Sequence, residues 1–222
     1  MSDNLAEIVV DDVVPESIRP IIPSALRRAY AAADQTMDQH PYLATPGGKY
    51  QRGDLIMLAA SFEFELLVRA GNLPFDGDWQ FFARPTGKHF VMFTDSARIT
   101  VGQVDDPRKK PRPAKHRENY SELNEIFLFP EFNEERARIV REAEKEGARR
   151  LLHILHGYQT LTFVHIAYPH PERNEHIFLS SNLLSRPHDL SGDAGLPPPE
   201  GPSDSPNPEV IDNIERRLRD EE

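Results

Sequence analysis

The chain of 222 residues contains no cysteine. This absence excludes a disulfide framework, an iron–sulfur cluster, a thiolate zinc site and a cysteine nucleophile. A chain without thiols also fits a reducing compartment, so we expect a cytoplasmic protein.

Long apolar runs are missing as well. No stretch reaches the roughly 18 consecutive apolar residues that a membrane span needs, and the acidic N-terminus lacks the basic start and apolar core of an export signal. We therefore expect no association with a membrane. The net charge of −10 means that the chain as a whole repels a phosphate backbone, which argues against non-specific binding of nucleic acid.

Composition divides the chain into four parts. Residues 1–22 carry small apolar groups between acids and prolines, which is typical of an extended N-terminal arm. Residues 23–189 hold the apolar patterns of a single domain, and residues 190–208 have the proline, glycine and serine content of a linker. Residues 209–222 predict a tethered amphipathic helix, with apolar positions at Val210, Ile211, Ile214 and Leu218.

Within the domain, apolar periodicity predicts an α+β fold with one mostly antiparallel sheet. Two helices come first, and the second is apolar on nearly all sides, which predicts deep burial. Short turns then join three strands into a meander, and a charged helix separates them from three further strands. The predicted elements are helices Ser24–Gln39 (capped by Ser24) and Asp54–Ala70, strands Trp79–Arg84, His89–Thr94 and Arg98–Val104, a helix from Asn133, and strands within residues 151–181.

Two acids, Glu63 and Glu65, interrupt the second helix. They are two positions apart, about 200° around the helix axis, so at most one of them shares a given face. We interpret them as solvent-facing or paired with Arg69 or Arg52, and the alternative is a buried catalytic carboxylate.

Positive charge is concentrated in one segment, which we call the basic loop. Prolines there exclude a helix and leave an extended charged connection. It is either a solvated loop that closes on the acidic body or a binding site for nucleic acid, a nucleotide or an acidic partner. Its cations are Arg108, Lys109, Lys110, Arg112, Lys115 and Arg117.

Five of the nine histidines lie within residues 151–181. Two of them, His153 and His156, would share a face of a helix but would point to opposite faces of a strand. Flanking residues favour a strand, so we predict that these rings diverge. The competing hypothesis is a metal-dependent hydrolase or nuclease that uses His153, His156 and His165, with Asp95 as a further ligand.

Catalytic motifs do not support that competing hypothesis. The element order resembles that of restriction nucleases, yet the Asp-x-Lys or Glu-x-Lys pair that their chemistry needs occurs nowhere in the chain. In residues 46–50 (PGGKY) no Ser or Thr follows the lysine, as a phosphate-binding loop requires, and there is no GxSxG elbow. We therefore expect no catalytic residues, no metal and no cofactor.

The leading functional hypothesis is a non-catalytic binding or regulatory protein that acts through macromolecular interaction. The acidic body, the basic loop and the C-terminal helix are its expected contact surfaces. The C-terminal helix is expected to bind another protein or a second copy of the chain. Nucleic acid is the alternative ligand of the basic loop.

Overall fold

The computed structural model describes residues 2–83, 86–112, 121, 124, 138 and 149–185. The predicted charged helix, apart from Arg138, lies outside these residues. So do the linker of residues 190–208, the C-terminal helix with Val210, Ile211, Ile214 and Leu218, and the basic-loop cations Lys115 and Arg117.

The N-terminal segment is a helix, α1 (Ser2–Val13), so the expectation of an extended arm is wrong. Ala6, Val10 and Val13 are spaced by four and three residues, which places them on one helical face. All three are buried in the main core. The prolines that suggested an arm begin only at Pro15, after the helix has ended.

The two predicted long helices are present, and they pack against each other. They are α2 (Ile21–Gln39) and, after the short helix α3 (Pro46–Lys49), α4 (Arg52–Arg69). Helix α2 begins three residues before Ser24, whose hydroxyl donates to the carbonyl of Pro20 and does not cap the helix. An ion pair of 2.7 Å joins Arg28 Nε on α2 to Glu63 Oε2 on α4.

A six-stranded sheet forms the second layer and confirms the predicted α+β fold. Its strands lie side by side in chain order, and each adjacent pair is antiparallel except β3 and β4, which are parallel. Residues 105–149 make the crossover that a parallel pair requires. The strands are β1 (Asp76–Ala83), β2 (Thr86–Phe93), β3 (Ala97–Val104), β4 (Arg150–Gly157), β5 (Val164–Pro169) and β6 (His176–Leu179).

The main core lies between the helices and one face of the sheet. Alternate residues of the central strands, such as Ile99, Ile154 and Ile166, point to this face, where they meet Leu26 of α2 and Phe64 of α4. A smaller cluster of Val104, Leu155 and Ala167 lies on the opposite face. Within the described part of the chain, no helix has both the length and the apolar character to cross a bilayer.

Candidate functional site

The rings of His153 and His156 lie on opposite faces of β4, as a strand dictates. His153 Nδ1 is 2.7 Å from Thr100 Oγ1, and His156 Nδ1 is 2.8 Å from Tyr30 Oη on the helix side. His165 is the cross-strand partner of Leu155 and therefore shares the face of His153. The competing set His153, His156 and His165 is not brought together.

The described residues contain no group of three histidines or acids placed to hold a metal ion. Asp95, the further ligand of the competing hypothesis, is exposed in the turn between β2 and β3. It precedes the start of β3, where Ser96 accepts from the backbone N–H of Arg150 at the start of β4, whereas His153 and His156 lie further along β4.

Under α2, His156 and Tyr30 form a buried polar pair. Tyr30 Oη also bonds to the carbonyl of Gly157, which can only accept, so the phenol donates there and His156 Nδ1–H donates to Tyr30 Oη. Burial lowers the pKa of His156 to about 3 and keeps the ring neutral. Its Nε2 is buried and meets no hydrogen-bond partner among the described residues.

Burial also raises the pKa of Tyr30 to about 12, against the opposing effects of Gln103 and the Arg52 guanidinium. Arg52 is the first residue of α4, and it connects that helix to two other segments. Its Nε lies 2.8 Å from Asp34 Oδ1 on α2, and its Nη1 donates to the carbonyl of Gln159. Gln159 has a φ of 61°, a left-handed conformation that disfavours side chains other than glycine and that the Arg52 contact helps to hold.

An open cavity of about 450 Å³ adjoins this network, and we call it the tyrosine cavity. Gly53 lies directly behind its wall, where an added Cβ would come within 3.4 Å of Tyr158 and 3.2 Å of Gln159. Tyr158 and Gln159 directly follow Gly157, so the cavity lies just past the carboxyl end of β4. It is lined by Pro46, Lys49, Tyr50, Tyr158 and Gln159.

On the opposite face, the first half of the basic loop is attached to the sheet. Lys110 Nζ donates to the carbonyl of His170 at 3.0 Å, and Pro111 packs so closely that a Cβ on Gly102 would be 2.8 Å from it. His176 Nε2 lies 3.1 Å from the carbonyl of Lys109, and burial lowers the pKa of His176 to about 4. The ammonium group of Lys110 is therefore held by the carbonyl of His170. A solvated basic loop would instead leave that charge available to a partner.

Lys109 and Arg112 have exposed side chains. Arg108 is also exposed, but its Nε is 3.1 Å from Asp106 Oδ1, which offsets part of its charge. The described half of the basic loop is therefore a weaker positive surface than its sequence predicted.

Glu63 and Glu65 of α4 each have a basic partner. Glu65 is buried, accepts from Trp79 Nε1 at 3.0 Å and pairs with Arg69 at 2.6 Å, which confirms one of the predicted pairings. Glu63 pairs with Arg28, while Arg52 bonds to Asp34. Glu65 is a buried carboxylate bound by the indole of Trp79 and the guanidinium of Arg69, so its role is structural. The catalytic alternative gains no support.

The outward side of α4 carries large apolar residues, so the prediction that this helix is buried on all sides is wrong. Leu58, Phe62 and Leu66 are exposed by 61%, 46% and 44%. Their spacing of four residues places them on one face, and we call this surface the α4 stripe. The sequence alone does not reveal the exposure of the α4 stripe. A helix that is apolar on all sides can be buried within its own chain, or it can equally well bury one side against a separate partner.

Comparison of the chain with protein-family models, with characterised proteins and with solved structures finds no match.

Proposed function

We propose that the chain is a cytoplasmic, non-catalytic binding protein that acts through macromolecular interaction, with the α4 stripe as its contact surface. The observation that carries the proposal is the exposure of Leu58, Phe62 and Leu66 on one helical face. A contiguous apolar patch on a folded domain is typical of an interaction surface, whereas single exposed apolar residues are normal. The lack of cysteine supports the cytoplasmic part of the proposal.

The occupant we propose is a second copy of the chain. Leu58 and Leu66 are each four residues from Phe62, so a two-fold axis at Phe62 sets Leu58 of one copy opposite Leu66 of the other. The two α4 helices would run antiparallel and bury the whole α4 stripe of each copy.

Charge supports this arrangement. Asp54 is exposed in the first turn of α4, and Arg69 is exposed at its end. Asp54 comes four residues before Leu58, and Arg69 comes three residues after Leu66. This helical spacing places both charged residues on the face of the α4 stripe. Antiparallel pairing brings Asp54 of one copy close to Arg69 of the other at both ends of the interface, which favours this register over a parallel one.

The competing function, a metal-dependent hydrolase, has weaker support because the rings of His153 and His156 diverge. Binding through the C-terminal helix and binding of nucleic acid through the basic loop stay proposals from the sequence. The α4 stripe is preferred because its exposure is a property of described side chains.

Sedimentation of the full chain tests the proposal. We expect the wild type to dimerise with a dissociation constant of roughly 1–100 μM, typical of a small apolar interface. Phe62→Glu places two carboxylates on the axis and should leave only monomer. The matched control is Phe81→Glu, which introduces the same charge at a phenylalanine that is 65% exposed on β1 and does not belong to the α4 stripe.

A wild type that stays monomeric at about 1 mM would overturn the proposed dimer, because no useful apolar interface is that weak. A dimer that Phe62→Glu leaves intact would overturn the role of the α4 stripe. Circular dichroism of each variant shows whether the fold is retained, and Leu66→Gln provides a milder change if Phe62→Glu fails to fold.

A further inference from the structure

We infer that the tyrosine cavity binds a small planar ligand that carries an anionic group. The inference is independent of the dimer, because none of the residues that line the tyrosine cavity belongs to the α4 stripe. Its basis is the combination of two accessible phenol rings, one lysine and a floor held by the partly buried hydrogen bond from Arg52 to the carbonyl of Gln159.

The aromatic side chains explain why the ligand is planar. Tyr50 is 79% exposed and Tyr158 is 42% exposed, so both rings present area to solvent although they line the same cavity. Exposed tyrosines offer a flat apolar face with little loss of side-chain entropy on binding. A planar ring is the ligand shape that covers such faces best.

The charged side chain explains why the ligand is an anion. Among the described residues that line the cavity, Lys49 is the only charged one, and no acid accompanies it. Its ammonium group opposes binding of a cation to the tyrosine rings and attracts a carboxylate or a phosphate. Nearby, the guanidinium of Arg52 adds positive potential, although Asp34 offsets part of it.

The floor of the tyrosine cavity is fixed before a ligand arrives. Gln159 lines the cavity in a left-handed conformation, and the bond from Arg52 to its carbonyl ties it to the start of α4. Backbone strain of this kind persists only where the surroundings enforce it, and it is concentrated at ligand sites. Because Gly53 has no side chain, Tyr158 and Gln159 can approach the start of α4 closely.

Two ligand sources share this chemistry, namely aromatic carboxylates and nucleotides. Titration of the ¹⁵N-labelled full chain with 1-naphthoate and with adenosine monophosphate, each to about 5 mM, separates them by amide shifts in residues 46–53 and 157–160. Adenosine supplies the ring without the anion, and inorganic phosphate supplies the anion without the ring. We expect one or both aromatic anions to bind, and adenosine and phosphate to bind at least several-fold more weakly.

Variants assign the binding to named side chains. Loss of a stacking face is worth about 1–3 kcal/mol, so Tyr50→Ala should weaken binding of the aromatic anion roughly 5- to 100-fold. Lys49→Ala should reduce the preference for the anion over adenosine. Tyr42→Ala and Lys88→Ala are the matched controls, because Tyr42 is 67% exposed and Lys88 is an exposed lysine on β2, and neither lines the cavity.

Three results would overturn the inference. The first is the absence of shifts with both aromatic anions. The second is binding that Tyr50→Ala and Lys49→Ala leave unchanged, and the third is adenosine binding as tight as that of its monophosphate. Binding of only one aromatic anion supports the inference and identifies the ligand class.

Discussion

Helices α2 and α4 form one pair over the same sheet, yet their outward faces differ. The outward face of α2 carries polar or small side chains, including Arg27, Ala31, Asp34 and Gln35. The outward face of α4 carries the α4 stripe. Core packing accounts for the inward faces of both helices but not for this difference. We therefore propose that the apolar residues of α4 pack against a partner outside the described part of the chain.

The strongest test of this comparison uses two phenylalanines on the same helix. Phe64 is fully buried, so Phe64→Ala should lower the free energy of unfolding by about 3–5 kcal/mol. Phe62 is 46% exposed, so Phe62→Ala should lower it by less than about 1 kcal/mol at concentrations where a dimer is dissociated. Urea denaturation measures both, and equal losses would contradict the distinction between the two faces of α4.

A second prediction concerns His156, the titratable residue that is bonded to Tyr30 on the inward side of α2. Unfolding returns the pKa of His156 from about 3 to its ordinary value of 6.5, so the unfolded chain binds more protons between these values. Stability should therefore be fully present above pH 6.5 and fall as the pH decreases toward 3.

The share of His156 in this loss should be about 2 kcal/mol at about pH 5. His176, whose pKa is lowered to about 4, adds to it in the same direction. His156→Phe should make the slope of unfolding free energy against pH shallower without abolishing it. An unchanged slope in that variant would show that His156 is not the buried neutral group.

Charge at the ends of the α4 stripe gives a smaller effect. Asp54→Arg replaces an attraction by a repulsion against Arg69 of the second copy, at two equivalent places, and should weaken the dimer by about 1 kcal/mol, or roughly fivefold. Added salt should reduce the difference between the variant and the wild type. Lys88→Glu, a charge reversal on β2, is the control. Tighter association of the Asp54→Arg variant would exclude the antiparallel register.

The smallest effect is expected where the two helices meet at the surface. Arg28 is 41% exposed in its 2.7 Å contact with Glu63, so this ion pair should contribute no more than about 0.5 kcal/mol. A double-mutant cycle with Arg28→Ala and Glu63→Gln measures the coupling. A coupling of several kcal/mol would show that the α2–α4 pair depends on charge more than on its apolar contacts.

Periodicity was sufficient to predict much of the fold. The residues that flank 151–157 indicated the strand β4, and the divergence of His153 and His156 followed, because strand geometry alone determines which face a side chain takes. The helical spacing of Ala6, Val10 and Val13 was also present in the sequence, but Pro15 and Pro20 outweighed it in the prediction of an arm. A proline disfavours helical conformation at its own position and at the residue before it, so a helix can still form up to Val13, two residues before Pro15.

The candidate sites were less predictable, because they depend on contacts between distant segments. Tyr30 and His156 are 126 residues apart in the chain, and nothing in either local pattern indicates their bond. The same is true of Tyr50 and Tyr158. The local sequence does not indicate the exposure of Leu58 either. A leucine in the core and a leucine in an interaction surface are the same residue type, so the sequence does not distinguish them.

A disulfide test of the α4 stripe measures the central claim most directly, because the chain has no cysteine of its own. Chains with Leu58→Cys and chains with Leu66→Cys are mixed and oxidised. Antiparallel pairing about Phe62 predicts rapid cross-linking between the two kinds of chain. Two chains that both carry Leu58→Cys should cross-link poorly, since their thiols would lie about 12 Å apart along the helix, beyond the roughly 7 Å reach between Cα atoms. Equal cross-linking in all combinations, or none in the mixture, would contradict the account.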